Sequence, residues 1–325
     1  MEMTSPPSDA VSTAWNRSDK NLPPHFDLEN MILEILTVIF ALIGMSGNIV
    51  VFCILSFCVN RNTISVYILN LAISDFLLLS CLFILHVWTF IGNFYYWEYR
   101  ALLNVGLCFY SMGLFMLSAI SFERCLAVLF PIWYHCHRPT YMSTVICTLF
   151  WALSLLFAIL TYSCPFIPGN YRLCIAMNYT IGSSLIFDFV ILCGSRLTLL
   201  VRMLCKARRL QLTRLYVTIG LTVLVFLFCG LPVGILGVLS PIIDFEIVFS
   251  SFGVLQQTSY FLSSINSSAN PIIYFFVGSF RQKQQQQRQP WSLKFIFQKA
   301  LEDVGEREKS GDSLPQENVE VVGSP

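Results

Sequence analysis

The stretch Leu114-Phe-Met-Leu-Ser-Ala-Ile-Ser-Phe-Glu123-Arg124-Cys125-Leu-Ala-Val-Leu-Phe130-Pro131 closes a long apolar run with two adjacent charges. A charged side chain at bilayer depth is costly, so such residues usually face the interior of a helix bundle or a water-filled cavity. On that ground Arg124 is the first candidate functional residue, with Glu123 beside it. The competing reading is that the pair marks where a span leaves the lipid and its long side chains reach for the headgroups. The stretch alone leaves both open. Around it the composition is that of a polytopic membrane protein. Of 325 residues, 55% are hydrophobic and 12% charged, where a soluble domain has roughly 25% charged residues. Net charge is +1 with no basic block suited to nucleic acid, so no nucleic-acid partner is expected. The charges are informative by position instead.

Seven apolar runs each exceed the roughly 18 residues that mark a membrane span. They cover about 31–57, 64–90, a third run that follows Asn93-Phe-Tyr-Tyr-Trp97 and ends at Pro131, then 141–163, 175–205, 212–240 and 248–276. The fold expected is therefore an all-α membrane protein, a seven-transmembrane helix bundle over 31–277 embedded in the lipid bilayer. Residues 1–30 read as a polar, disordered tail without the pattern of a cleavable signal peptide, which leaves the first span as the targeting signal. Residues 278–300 set Trp291, Leu293, Phe295, Ile296 and Phe297 among Arg288, Lys294 and Lys299, the pattern of a short amphipathic eighth helix on the inner leaflet. Residues 301–325 are acidic and polar and read as a second disordered tail.

Charge placement orients the spans. Connections after the first, third and fifth hold Arg61, Arg138, Lys206, Arg208, Arg209 and Arg214, while those after the second, fourth and sixth hold only Arg100 and Arg172. The positive-inside rule then puts the N-terminus outside and the C-terminus in the cytosol. In that orientation the sequon at Asn16 is a glycan site, and Asn178-Tyr-Thr, at the outer edge of the fifth span, is a second candidate. A third sequon, at Asn266, is inside the seventh span and is expected to be bare. Most of the twelve cysteines lie within apolar runs, and only Cys164 and Cys174 bracket a polar segment between two spans.

Asn48 in the first span, Asp75 in the second, the Glu123 and Arg124 pair, and Asn270 in the seventh are each expensive alone in hydrocarbon. On the inward faces of adjacent helices they can satisfy one another. Pro271, one turn before Tyr274, lets the seventh span bend beside Asn270, and Pro232 can do the same in the sixth. Two bent helices beside a buried polar cluster make an element with two packings of similar energy, which is what a switch needs. A static polar core that fixes helix register is the plainer alternative.

Together these motifs carry a resemblance. Gly47-Asn48-Ile-Val, Leu71-Ala72-Ile73-Ser74-Asp75, Glu123-Arg124-Cys125, Trp151, Pro232, and Asn270-Pro271-Ile-Ile-Tyr274 with Phe280 resemble the rhodopsin-like G-protein-coupled receptors, each in its proper span. The finer texture is similar to the Mas-related receptors. It is carried by Ser118-Ala-Ile-Ser-Phe-Glu-Arg-Cys-Leu-Ala-Val, Pro131-Ile-Trp-Tyr-His-Cys-His-Arg-Pro139, the run from Leu212 to Pro232, and Ile265-Asn-Ser-Ser-Ala-Asn-Pro-Ile-Ile-Tyr-Phe-Phe-Val-Gly-Ser-Phe-Arg281. The likeness covers roughly 31–300 and is nearest the X-type and the rodent A- and B-type branches.

The resemblance implies a plasma-membrane receptor that binds an extracellular agonist, a peptide or small molecule, and activates a heterotrimeric G protein of Gq or Gi type. No cofactor, metal or catalytic residue is implied. Glu123, Arg124, Asn48, Asp75, Gly230, Pro232, Asn266, Asn270, Pro271 and Tyr274 would form the switch and transducer set, with Arg124 leaving Glu123 on activation. Gly230 stands where most rhodopsin-like receptors place a Trp, and Gly113 stands near Asp75 where a Ser often helps hold sodium, which argues against a sodium site. No Cys is found at the outer end of the third span. Cys164 and Cys174 are expected to be bonded to each other instead, as in the Mas-related arrangement. Leu160 and Asn178 stand where X-type relatives that bind basic ligands carry acids, so strong attraction for polycations is not expected. The outer pocket is left to Trp88, Leu103, Tyr110, Asn178, Asp244, Glu246, Gln256 and Tyr260.

Three rivals fit less well. Gly44-Met-Ser46-Gly47 matches a rhomboid-like G-x-S-G, but with Asn48 and Asp75 at similar depth, as the receptor resemblance implies, the intramembrane His86 is more than about 10 Å too far along the bilayer normal to serve as base. A polytopic transporter favours internal repeats, and the halves show none. An opsin needs a Lys in the seventh span, where there is none.

Overall fold

The computed structural model describes residues 24–58, 63–91, 96–139, 141–163, 171–206, 229 and 245–284. The elements are α1 (Pro24–Cys53, continued by a π-turn over Ile54–Cys58), α2 (Thr63–Ile91), α3 (Tyr96–Leu129), α4 (Pro131–Cys136), α5 (Met142–Ser163), α6 (Tyr171–Lys206) and α7 (Phe245–Gln284). Within the described residues, α1, α2, α3, α5 and α6 are long and apolar enough to cross a bilayer, matching the first five expected spans. The seventh lies within α7. The sixth, with Gly230 and Pro232, lies outside the described residues.

Several boundaries differ from the sequence reading. α1 begins at Pro24 rather than at 31. Pro24 brings a helix-compatible φ to the first turn, and Asp27 and Glu29 follow near the positive end of the helix dipole. α7 passes through the expected break at 277/278 and continues to Gln284. Gly278 weakens a helix by about 1 kcal/mol but does not end one, and no proline lies between it and Gln284. Residues 285–300 of the expected amphipathic segment lie outside the described residues. α4 was not anticipated: Phe130 breaks from the helix at φ −127°, and Pro131 restarts it for six residues, too few for a periodicity signal.

α3 is the axle of the bundle, with 72% of its apolar window buried against 17% for α5. It packs against α2, α5 and α6, while α1 packs against α2 and α7. Tyr67, Ile68, Leu71, Met112, Met116 and Leu192 fill the centre. Polarity runs opposite to that of a soluble bundle: Ile35, Ile39, Leu42, Ile43, Ile49 and Val50 of α1 face outward, while Thr37 and Asn48 are buried. With lipid outside, apolar surface has no reason to turn in, and polar groups have every reason to do so.

α1 approaches α7 closely because Gly44 and Gly47 have no side chains. A Cβ on Gly44 would lie 2.2 Å from Ser268 Oγ and 2.6 Å from Leu79 Cδ1, and one on Gly47 would lie 3.1 Å from Pro271 Cβ. Ser268 cannot yield cheaply, since its hydroxyl is within bonding distance of the Phe40 and Ser264 carbonyls (2.9 and 2.7 Å). Gly44→Ala is therefore expected to cost about 1–3 kcal/mol through overpacking. Gly194→Ala, where no atom lies within 4 Å of the new methyl, should be neutral or stabilising. Thermal unfolding of the two variants in the same lipid nanodisc makes the comparison, and equal melting temperatures would show that the α1–α7 approach is not tight.

Candidate functional site

The mid-bundle polar groups turn inward and meet on α7. Asn48, Asp75 and Asn270 are 1%, 3% and 6% exposed. Asn270 Nδ2 donates to Asp75 Oδ2 at 2.7 Å, and the Ser267 hydroxyl also bonds Asp75. Asn48 Nδ2 donates to the Gly44 carbonyl of its own helix at 2.9 Å and to the Ser267 carbonyl at 3.2 Å. The position of that second bond has a cause. In an α-helix the Ser267 carbonyl would accept the N–H of residue 271, but Pro271 has none. Asn48 supplies the missing donor from across the interface. Ser267 thus joins α1 to α2 through α7, a role the sequence reading passed over. Its position one turn before Pro271 and three residues before Asn270 was the available signal. Asn266 is buried at 7%, and the Tyr274 side chain lies outside the described residues. A Cβ on Gly113 of α3 would lie 3.6 Å from Asp75 Oδ1, so α3 closes over the carboxylate with a residue that offers it no ligand.

At the end of α3, Glu123 does not pair with its neighbour Arg124. It is 3% exposed, accepts from Tyr67 OH at 3.0 Å, and is gripped by Arg138, whose Nε reaches Oε2 at 3.0 Å and Nη2 reaches Oε1 at 2.5 Å. Arg138 also donates to Thr63 Oγ1 at 3.2 Å and Ser143 Oγ at 2.8 Å, and lies 5.4 Å from the Tyr134 ring centroid. Burial works against the Arg138 charge, and the hydrogen bond and charge of Glu123 more than offset it, holding the guanidinium above its ordinary range. The correction follows from helix geometry. Adjacent residues point about 100° apart and do not face each other, whereas the turn through α4 brings Arg138 back beneath α3. In the sequence Arg138 counted only as a cytosolic positive charge. Arg124 is half-buried, with no ion pair or side-chain hydrogen bond among the described residues.

Other polar groups in the spans find partners on neighbouring helices. Trp151 Nε1 donates to Asn70 Oδ1 at 3.0 Å, fastening α5 to α2. Arg196 Nε donates to Ser121 Oγ at 3.0 Å, and Ser118 Oγ donates to the Asp188 backbone carbonyl at 3.3 Å, so α6 and α3 are joined at two levels through serines of α3. Ser46 is exposed and donates to the Ile43 carbonyl of its own helix at 2.7 Å, an arrangement unlike that of an activated nucleophile.

Of the outer candidates, Gln256 and Tyr260 touch, with Gln256 Nε2 donating to the Tyr260 hydroxyl at 2.7 Å. Tyr110 belongs to the apolar core, Leu103 is half-buried, and Trp88 is 39% exposed. The side chains of Asn178 and Glu246, and all of Asp244 and Asn16, lie outside the described residues. Cys174 is half of a disulfide, Cys164 lies outside the described residues, and Cys53, Cys81, Cys108, Cys125, Cys136, Cys147, Cys193 and Cys229 are free.

The Ser267 junction predicts non-additivity. Asn48→Ala strands a buried carbonyl and should cost about 1–3 kcal/mol. In a Pro271→Ala background, where α7 regains its own N–H donor, the same change should cost markedly less. Denaturation of the two single variants and the double variant measures the coupling, and strictly additive costs would refute the shared carbonyl.

Comparison with known proteins agrees with this geometry. The profile of the family described as "7 transmembrane receptor (rhodopsin family)" matches residues 47–274. The chain is 48% identical to human Mas-related G-protein coupled receptor member X1, over 91% of each chain. It is 46% identical to mouse Mas-related G-protein coupled receptor member A7 over 89% of this chain and 95% of the relative. With Mas-related G-protein coupled receptor member X2 of Rhinopithecus bieti it shares 45% identity over 100% of this chain and 99% of the relative. The chain therefore belongs to the rhodopsin family of seven-transmembrane receptors and, within it, to the Mas-related G-protein-coupled receptors, multi-pass plasma-membrane proteins that signal through G proteins.

Proposed function

We propose that this receptor takes a small peptide, an amine or another small molecule at its outer mouth and answers by activating a G protein of the Gq or Gi type. The reading uses the orientation given by the positive charges, with the N-terminus outside and the inner ends of α3 and α6 in the cytosol. The observation that carries it is the separation of Glu123 from Arg124. Glu123 is occupied by Arg138 and Tyr67, which leaves the Arg124 side chain to a partner at the cytosolic end. Activation then requires no break of a Glu123–Arg124 pair. It requires the sixth span to move outward and open a cleft onto Arg124. Asn48, Asp75, Ser267, Asn270 and Pro271 form the element whose two packings an agonist biases, with Gly230 and Pro232 allowing the sixth span to follow.

A ligand moves such an equilibrium only through unequal affinity for its two states, and about 5.5 kcal/mol takes it from 1:99 to 99:1. Trp88, Leu103, Asn178, Asp244, Glu246, Gln256 and Tyr260 are proposed to line the mouth, with Tyr110 packed beneath them. Leu160 and Asn178 supply no negative charge there, which disfavours polycationic ligands.

The outer loop is proposed to be closed by Cys164 and Cys174. Cys205 lies 31 residues further along α6 from Cys174, about 46 Å away, and so cannot be the partner.

In a calcium-flux screen of small peptides, amines and hydrophobic acids, run with and without Gq blockade, an agonist found on the wild type is expected to lose its effect on Arg124→Ala at matched surface density. Unchanged signalling would remove Arg124 from the mechanism. Non-reducing peptide mapping by mass spectrometry should find Cys164 and Cys174 in one cross-linked pair; free thiols at both would end that claim.

A further inference from the structure

At the end of the bundle opposite Glu123 and Arg138, a third polar chain, running from the half-exposed Glu34 to the buried His86, crosses α1, α2 and α7. His86 of α2 is 2% exposed. Its Nδ1 lies 2.8 Å from the Leu82 carbonyl one turn back, and its Nε2 lies 3.2 Å from Gln257 Oε1 on α7. Gln257 Nε2 in turn donates to Glu34 Oε1 on α1 at 3.3 Å. Tyr260 of α7 meets the His86 ring edge-on at 6.3 Å between centroids. Tyr99 of α3 lies within electrostatic reach of Glu34 and of Tyr260. Among the described residues no lysine or arginine bonds Glu34, His86 or Gln257.

Counting donors and acceptors along this chain determines its protons. The Leu82 carbonyl only accepts, so Nδ1 must carry a hydrogen. An ionised Glu34 only accepts, so Gln257 must turn its NH₂ to Glu34 and its oxygen to His86. Nε2 must then carry a hydrogen as well, which makes the ring an imidazolium. The equivalent arrangement moves the proton to Glu34 and turns the amide end for end: Glu34 O–H donates to Gln257 oxygen, and Gln257 N–H donates to a bare Nε2. Both forms hold one proton more than a neutral imidazole and a carboxylate together. Once that proton leaves, every arrangement sets two lone pairs against each other at one junction, and one of the contacts joining the helices is lost.

We propose that His86, Gln257 and Glu34 form a binding site for a single proton, whose occupancy ties the ends of α1, α2 and α7 together. The half-exposed Glu34 is its route to solvent. The proposal does not depend on which agonist or G protein the receptor uses, nor on orientation, because a nanodisc exposes both faces of the protein to the buffer.

The folded chain holds a proton that the unfolded chain releases, so stability should fall as pH rises above the ordinary histidine range. The test is thermal and denaturant unfolding of the full chain in nanodiscs from about pH 5.5 to pH 8.5, with Glu34→Gln alongside. Gln at 34 provides a donor where the carboxylate had none, so the chain is satisfied without the extra proton. The wild type should lose up to about tenfold in its folding constant per pH unit relative to Glu34→Gln. Gln257→Met, which disconnects the two ends, should also remove the slope, at lower stability throughout. Profiles that run parallel in the wild type and in either variant would overturn the proposal, as would a pH-independent wild type.

Discussion

One missing hydrogen organises the centre of this receptor. Pro271 cannot offer an N–H to the Ser267 carbonyl, and a buried carbonyl in a lipid-embedded helix has no water to turn to. Asn48 of α1 fills the gap at 3.2 Å, while Ser267 and Asn270 bond Asp75 of α2. The break in one helix's ladder is thereby repaired by two other helices. A repair made across an interface ties the bend of α7 to the positions of α1 and α2, so α7 cannot straighten or shift alone. The glycines of α1 serve the same end, since Gly44 and Gly47 leave room for Ser268 and Pro271 to approach.

The same rule governs the end of α3. A carboxylate that is 3% exposed needs a cation, and the one beside Glu123 in sequence points about 100° away around the helix. Arg138 reaches it from beyond α4, holding the carboxylate through two nitrogens while also bonding Thr63 and Ser143. Glu123 therefore anchors the turn that follows α3, and Arg124 is left for intermolecular work. Removing one partner from such a pair is more damaging than the pair is stabilising, because an uncompensated charge stays behind. That asymmetry favours a permanent clasp over a latch.

α7 is thus held at two depths, by Asn48 and Asp75 in the middle and by His86 and Glu34 toward its N-terminal end. Between them Ser259, Ser263 and Ser264 are buried, and the hydroxyls of Ser259 and Ser264 donate back to their own helix. Such residues keep the helix slim and satisfied without fixing it to a neighbour. A helix pinned at two levels and smooth between them suits small, discrete shifts.

Much of this was legible in the residues. Long apolar runs can only be spans, since no other structure satisfies a backbone in hydrocarbon. The cost of a polar group in lipid likewise determined that Asn48, Asp75, Glu123 and Asn270 would be buried, and the positions of these motifs within the spans pointed to the family. Which partner each polar group takes was not legible. Arg138 lies fifteen residues from Glu123, Ser267 lies 219 from Asn48, and Gln257 lies 171 from His86. Sequence determines that a buried donor or acceptor must be satisfied, because that penalty is local to the group. Only the packed bundle decides by what, because the choice depends on which helix faces come within about three ångström of one another.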